Sequence, residues 1–572
     1  FSSSLMLLFP LIDGSRKRAL KYAVAVYILF LIGLLCLVLD IPLSKAFVWL
    51  SGALCFLWMF LWAPSNEVCS RSRKALLANI FLYICLILVV IELLAILHWI
   101  YLPFSSNDSN NIGQMLSQAA DIELKFFYVT AFLGPFLLVF VLYAWLLVPL
   151  KFVLKKIGIR KVRLAGRELS VRQNLSVNLK LGLGFLSKRG WSGLFLGLAL
   201  LLSSIYVFYA YIPIFHGHEV FIGVDVKSYV IFLENIRNSG LAYAFSRFSD
   251  RTLSLLILHG FSSLPWLSPL TVVQFSSLLL CPLIVLATYF FMRICGFSKS
   301  LSGLASLFSA FSFLVTIGVF AAFISNMMAW IGTLIFSGFL VKSVSLRSKL
   351  YCFLATCTLV FILFTYIWSW VFLMIVLACL FLLYFRRHMS SVQMQQLKIV
   401  LAVVSSNIVV EVVRGFILQK GSVAMSVASS LAEFGLSLGY PLRFWVFLDA
   451  TLNSYLAGLF MNPVSLFLAA VGMLSILGNV WQRDFCNFMK CWVVASSFFF
   501  PFANIAIQAR LLYSVPFFIL ATLGCVWVMF WIRERFMGRF GQVLVFLFAL
   551  VFILSNVNYG FRCMYIVSGR FS

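Results

Sequence analysis

Apolar residues run along this chain in blocks long enough to cross a bilayer, and the polar turns between them are rich in Lys and Arg. Blocks of about 18 or more apolar residues read as transmembrane helices. Segments of period-two alternation are absent, which excludes a transmembrane β-barrel. In chain order the pattern predicts spans near 20–39, 43–63, 75–101 and 126–150, then 191–215, 270–292, 301–320 and 323–341. The run 350–385 is too long for one helix and reads as two, turning around Tyr366, Trp368, Ser369 and Trp370. Spans near 397–418, 464–480, 491–507, 510–532 and 543–557 follow. The expected fold is all-α and polytopic, with about fifteen helices of roughly twenty residues each.

The same pattern divides the chain. Residues 1–150 form a four-span module, 151–190 a basic linker and 191–560 a membrane core. The core carries outer loops at 216–270 and 419–463, and 561–572 is read as a tail. The first residue is Phe1, and the run 5–12 is too short to span and lacks a small-residue cleavage site, so no signal peptide is assigned.

Composition agrees. Of 572 residues 63% are hydrophobic and 10% charged, against about 25% charged in soluble proteins. The net charge of +26 is read as positive-inside bias rather than as a nucleic-acid surface. The largest basic block, 151–190, lacks the interleaved aromatics that a nucleic-acid surface uses, and fits an anionic leaflet. Most of the 43 Lys and Arg fall in turns of one side. That places the N-terminus in the cytoplasm and the two long loops outside a plasma membrane. A single crossing within 441–462 would invert every later turn, so this stretch is expected not to span. The 13 cysteines are scattered without a CxxC, which argues against disulfides and zinc; only Cys563 is placed outside.

Against this background the loop 216–270 stands out for its chemistry. After Asp225, apolar residues recur at Val226, Tyr229, Val230, Leu233 and Ile236, with Lys227, Ser228, Glu234, Asn235 and Asn238 on the other face and Gly240 as a stop. This predicts a short interfacial helix. Asp225 is then either its N-cap or a catalytic carboxylate, and the two roles are compatible. Lys227 beside it would lower its pKa. Asp250 is expected to cap a second helix, 252–261. His216, His218 and Glu219 could hold a divalent metal but read better as a polar helix exit.

Elsewhere, Glu411 and Arg414 are three apart and share a helix face in the outer half of a span, and Glu92 lies toward an outer helix end. Arg510 is expected to open the span 510–532 from the outer side, where it can snorkel or hold a lipid phosphate. Arg443 and Arg414 are further phosphate candidates, and Asp449 is a further outer carboxylate. Trp368 and Trp370 fit an interfacial belt or a sugar-stacking surface.

An outer loop with Gly-Val-Asp225 before an amphipathic helix, and a late Arg510-Leu-Leu-Tyr-Ser-Val-Pro-Phe-Phe, resemble the GT-C superfamily of polytopic membrane glycosyltransferases, especially prokaryotic and archaeal-type members. The resemblance covers roughly 191–560; the first four spans lie outside it. It implies a sugar donor linked to a polyprenyl phosphate, Asp225 as the base that activates an acceptor hydroxyl, and Arg510, with Arg443, on the departing phosphate. The acceptor would be a glycan, lipid or protein at the outer face. The chain departs from the family in having no D-x-D after Asp225 and no Trp-Trp-Asp signature. Trp368-Ser369-Trp370 stands where relatives often carry a histidine–proline element. No metal cofactor is therefore expected. Two rival readings are a transporter or flippase of lipid-linked cargo, with an inverted repeat and a polar midplane cavity, and an inactive GT-C-like assembly protein.

Overall fold

The computed structural model describes residues 82, 85–86, 89–100, 191–212, 221–247, 250–385, 391–417, 462–477, 480–498, 502–536 and 539–571. Among these the regular structure is helical, with no β-strand. The helices are α1 (Val89–Ile100), α2 (Trp191–Tyr209), α3 (Val226–Ser239), α4 (Leu241–Arg247), α5 (Thr252–Ser262) and α6 (Pro269–Ile294). Next come α7 (Lys299–Ala310), α8 (Phe313–Ala321), α9 (Ile324–Leu346), α10 (Lys349–Thr365), α11 (Ile367–Tyr384) and α12 (Ser391–Ile417). The last are α13 (Pro463–Leu477), α14 (Arg483–Phe498), α15 (Ile505–Tyr513), α16 (Phe517–Arg535) and α17 (Arg539–Phe571). Among the described residues seven helical stretches are long and apolar enough to cross a membrane, α7 and α8 counting as one. The chain is an all-α, multi-pass membrane protein.

Contacts at the helix ends give the bundle two poles. At one, Arg347 after α9 donates to Gln395 of α12 (3.4 Å), Gln396 donates to Asp484 of α14 (3.4 Å), and Gln482 donates to Ser345 (3.3 Å). Phe297, in the turn after α6, stacks edge-on against Phe485 (4.9 Å). Lys299, Lys342, Lys349 and Arg483 lie in these helix ends or beside these turns, so this is the basic pole. At the other pole Ile367 N–H donates to Asp250 C=O (3.0 Å) and Asp225 N–H to Ala321 C=O (3.1 Å). From α6 through α12 each crossing reverses the last, so α12 ends at the far pole. The turn between α13 and α14 is basic, so α13 starts at the far pole too. Residues 418–461, with nearly all of the stretch 441–462 expected not to span, lie outside the described residues.

Several predicted boundaries shift. The span expected at 301–320 is two stacked helices, broken at Phe311–Ser312 where Ser312 has extended backbone. The helix expected at 491–507 starts at Arg483 and ends at Phe498. Helix α17 continues to Phe571, so there is no break into a tail at 561, and Cys563 is fully buried in the bundle rather than in an outer segment. The ten described cysteines are all free.

Helices α13 and α16 run side by side in the same direction and cross backbone to backbone. A Cβ added at Gly472 would lie 1.9 Å from Leu520 O, and one at Gly524 would lie 1.8 Å from Leu468 O. Between membrane helices lipid supplies little hydrophobic drive, and such close approach of small residues supplies the contact instead. Helix α1, from the N-terminal region, is tied to the core: Asn558 donates to Glu92 (2.6 Å), and the Tyr209 hydroxyl donates to Trp99 C=O.

Candidate functional site

The far pole is built around the short loop that delivers Asp225. Gln274 of α6 donates to Ile222 C=O (3.1 Å), and the N–H groups of Val224 and Asp225 donate to Phe320 and Ala321 C=O (both 3.1 Å). This two-rung pairing needs close approach. Gly223 adopts φ +121° and a Cβ there would lie 2.6 Å from the Ala322 Cβ, so only glycine fits. Helix α3 then buries Val226, Tyr229, Leu233 and Ile236, the face expected from the sequence, and stops at Gly240 (φ +80°).

Asp225 occupies the N-cap position of α3, yet its side chain makes no capping hydrogen bond. The cap reading is therefore not what the carboxylate does. It is half-buried, and burial pushes its pKa above the ordinary range, while Arg251 nearby pulls it part of the way back. Lys227 is not the modulating cation: its ammonium lies over the Phe221 ring, 5.2 Å from the centroid.

The second expected cap also fails. Arg251, not Asp250, is the N-cap residue of α5. Asp250 instead accepts from both Nε and Nη2 of Arg251 (2.9 Å each), and its carbonyl receives the Ile367 N–H described above. A second tie comes from Ser325 in the first turn of α9. Its hydroxyl accepts from Tyr229 of α3 (2.8 Å) and shares a 2.6 Å hydrogen bond with Ser254 of α5. Helices α3 and α5 are thus pinned to α9 and to the α10–α11 junction.

That junction is the lip of a cavity. The backbone of Tyr366 is extended (φ −162°) and separates α10 from α11, as the long apolar run predicted. A cavity of about 110 Å³ lies beside it, lined by Asn326, Tyr366, Trp368, Phe372, Ile375 and Arg510 among others. Trp368, Val371, Phe372 and Ile375 recur at helical spacing down one face of α11, so the cavity is apolar along its length. Arg510 supplies its cation. It does not open a span as expected. It sits in the last turn of α15, and Ser514–Pro516 separate that helix from α16 because Pro516 cannot continue it. Asn504 caps α15 by accepting from Ile507 N–H (3.0 Å). The exposed Arg510 guanidinium lies over Trp368, 4.6 Å from the ring centroid.

Tyr366 joins the two halves electrically. Burial pushes its phenol pKa up, while Arg510 and Arg251 both pull it down and Asp250 pushes it up. The partly buried ring therefore feels both Arg510 of the cavity and the Asp250–Arg251 pair. Asp225 itself is not among the residues that line the cavity.

The remaining candidates separate clearly. Glu411 and Arg414 are both buried and bonded to each other at 2.7 and 3.2 Å. Trp370 is buried and donates to Asn407 of α12 (3.3 Å), so it belongs neither to the cavity nor to a belt. Arg443, Asp449, His216, His218 and Glu219 lie outside the described residues. Among the described residues no three His, Cys, Asp or Glu side chains group as a metal would require. Arg251 and Asn326 were not singled out from the sequence, and Tyr366 was read only as a turn. The acid–base pair Asp250-Arg251, within a polar loop, was the one available signal.

A scan against protein-family models and a search of curated proteins each returned no match. Among solved structures, the fold is similar to the oligosaccharyltransferase of Archaeoglobus fulgidus in its apo form. The TM-score is 0.44 and the identity 13%, over 67% of this chain and 56% of that one. The same enzyme tethered to an acceptor peptide containing an NVT sequon gives a TM-score of 0.43 and 14% identity, over 67% and 55%. The chain thus spans little more than half the length of the archaeal enzyme, and the likeness is loose.

Proposed function

We propose that this protein is a GT-C-type membrane glycosyltransferase that moves a sugar from a polyprenyl-phosphate donor to an acceptor hydroxyl at the far pole, outside the cell membrane. The supporting observation is an apolar cavity on a membrane helix with an exposed guanidinium at its lip, at the same pole as the loop that carries a non-capping carboxylate. An isoprenoid chain would lie along α11, against Val371, Phe372 and Ile375, and its phosphate would meet Arg510. The basic pole faces the cytoplasm, as positive-inside bias requires.

In the reaction the acceptor oxygen bonds to the anomeric carbon as the bond from that carbon to the phosphate oxygen breaks. The electron pair goes to the phosphate, whose new charge Arg510 stabilises. The acceptor proton goes to Asp225. Attack from the face opposite the phosphate inverts the anomeric centre. No metal is required, because a fixed cation already stands where charge develops. Arg414 would have to leave Glu411 to assist, so Arg510 carries the phosphate role among the described residues.

The test is release of polyprenyl phosphate from a panel of labelled polyprenyl-phosphate sugars in membranes carrying wild type or Asp225→Asn. Turnover in wild type and its loss in the variant are expected. Equal turnover in both removes Asp225 from the mechanism.

A further inference from the structure

The turn from α8 into α9 serves the Asp225 loop and the cavity at once. On its near side Phe320 and Ala321 C=O accept from the N–H groups of Val224 and Asp225. Ala322 then adopts left-handed backbone (φ +55°), which a residue with a Cβ rarely takes. Hydrogen bonds hold it there: Phe323 N–H donates to Gly318 C=O (3.0 Å) and Ile324 N–H to Ala322 C=O (2.8 Å). Ser325 is then tied twice to the Tyr229 hydroxyl, which donates to the Ser325 hydroxyl (2.8 Å) and accepts from its N–H (3.2 Å). Tyr229 N–H donates to Asp225 C=O (3.1 Å), so Tyr229 stands in the first turn of the helix that Asp225 begins. The next residue, Asn326, lines the cavity. The helix that carries Arg510 packs on the same turn, with Tyr513 edge-on against Phe323 (5.7 Å).

The lining of the cavity changes along its length. Asn326 in the first turn of α9, Ser369 in the first turn of α11 and Arg510 in the last turn of α15 put polar groups at its far-pole end. Phe372 and Ile375, one and two turns further along α11, are apolar and lie deeper. With the donor's phosphate at Arg510 and its isoprenoid along α11, the sugar occupies the far-pole end, where Asn326 is. A carboxamide is uncharged and offers an NH2 donor and an oxygen acceptor. Its oxygen repels a phosphate but accepts from a hydroxyl, and its NH2 donates to one, so a sugar hydroxyl uses both. Among the described residues no hydrogen bond engages the Asn326 carboxamide. We propose that Asn326 is a specificity-determining residue of the transfer, the group that reads a hydroxyl of the donor sugar at the far-pole end of the cavity. The inference rests on the donor reading above and adds where its selectivity for the sugar resides.

The experiment measures kcat/KM for release of polyprenyl phosphate by full-length protein in membranes. The probes are labelled polyprenyl-phosphate glucose, mannose and galactose, each with its singly deoxygenated forms. Wild type, Asn326→Ala, Asn326→Leu and Asp225→Asn are compared; Asn326→Leu nearly keeps the side-chain volume. Removing a hydroxyl also alters the intrinsic reactivity of the sugar, but that change is common to all variants and cancels in the double comparison.

On the hexose that wild type uses best, loss of one particular hydroxyl is expected to lower kcat/KM about tenfold, the size of a neutral hydrogen bond. In Asn326→Ala and Asn326→Leu that penalty should vanish, while the effects at the other positions stay. A penalty that survives in both variants overturns the inference, and so does a wild type indifferent to every deoxygenation. An equal loss on all donors with the deoxy pattern kept also overturns it, and makes Asn326 a structural or phosphate contact. Should one Asn326 variant not fold, the other decides alone. A wild type that releases no polyprenyl phosphate from any probe sinks the proposed function and this inference with it. An inactive Asp225→Asn beside an unchanged deoxy pattern in the Asn326 variants sinks only this inference.

Discussion

The Arg510 guanidinium lies over the Trp368 ring, 4.6 Å from its centroid, although the two residues are far apart in sequence. The ring orients the cation without neutralising it, which leaves its charge available to an anion. Arg510→Ala is expected to lower kcat for donor turnover by about 10²-fold or more, the cost of removing a charge-stabilising donor. Arg510→Lys should recover only part, because lysine cannot present the planar fork. Trp368→Ala should cost about 1 kcal/mol, or several-fold in rate, typical of a cation–π contact. Steady-state kinetics on the three variants gives the order; a fully active Arg510→Ala would remove the phosphate role.

Asp225 holds an N-cap position without capping, and this separates stability from activity. Asp225→Ala should leave the melting temperature in detergent unchanged or raised, while abolishing turnover. The control is Ser298, whose hydroxyl does accept from Leu301 N–H at 3.3 Å. Ser298→Ala should cost about 1 kcal/mol of stability. Equal destabilisation by both would restore the cap reading.

Linkage predicts a pH dependence of stability at the same carboxyl. Its folded pKa is raised by burial, with Arg251 opposing. A raised carboxyl binds its proton more tightly in the folded state, so its contribution is most favourable below the unfolded value, ordinarily about 3.9. The contribution falls as pH rises through the window between the unfolded and folded values, then stays constant. Asp225→Asn should therefore gain stability over wild type on going from acid to neutral pH, read by thermal melts at several pH values.

The buried Glu411–Arg414 pair makes a contrasting case. Arg414→Ala leaves a buried carboxylate without its cation and should cost about 3–5 kcal/mol. The double change Glu411→Leu with Arg414→Met should recover most of that. Turnover of the refolded double variant should be near wild type. Its complete loss, with the fold intact, would return Arg414 to the donor site.

Sequence periodicity was a reliable guide where one physical effect dominated. The buried face of α3, from Val226 to Ile236, followed from amphipathic spacing alone. The extended residue Tyr366 followed from a run of apolar residues too long for one helix. The α15–α16 break was readable in principle, since Pro516 sits inside the span drawn from 510 to 532. Hydropathy outweighed it because every flanking residue is apolar. The break at Phe311–Ser312 left no comparable sign, as serine is common in these helices. Side-chain roles were the least accessible. Whether Asp225 caps, or Asp250 pairs with its neighbour, depends on rotamers set by α8, α9 and α11, which arrive from elsewhere in the chain. Arg251 lay beside a candidate residue and gained meaning only once α11 was placed against it.

The Gly472–Gly524 crossing also fixes an order of assembly. Helix α13 is made well before α16, and α14 and α15 are made between them. Until α16 emerges, the bare backbone at Gly472 has no partner. Arg510 lies on the last helix before α16, so the cation of the cavity is made only shortly before that crossing can close. The Asp225 loop, by contrast, has its partner in α8 within a hundred residues. In a chain synthesised from its N-terminus, the partners of the Asp225 loop are made early and the helix that carries Arg510 late. A nascent protein thus passes through a stage in which the Asp225 loop has its partner while the Arg510–Trp368 contact has yet to form. Release of the final helices is the step that completes the cavity's lining.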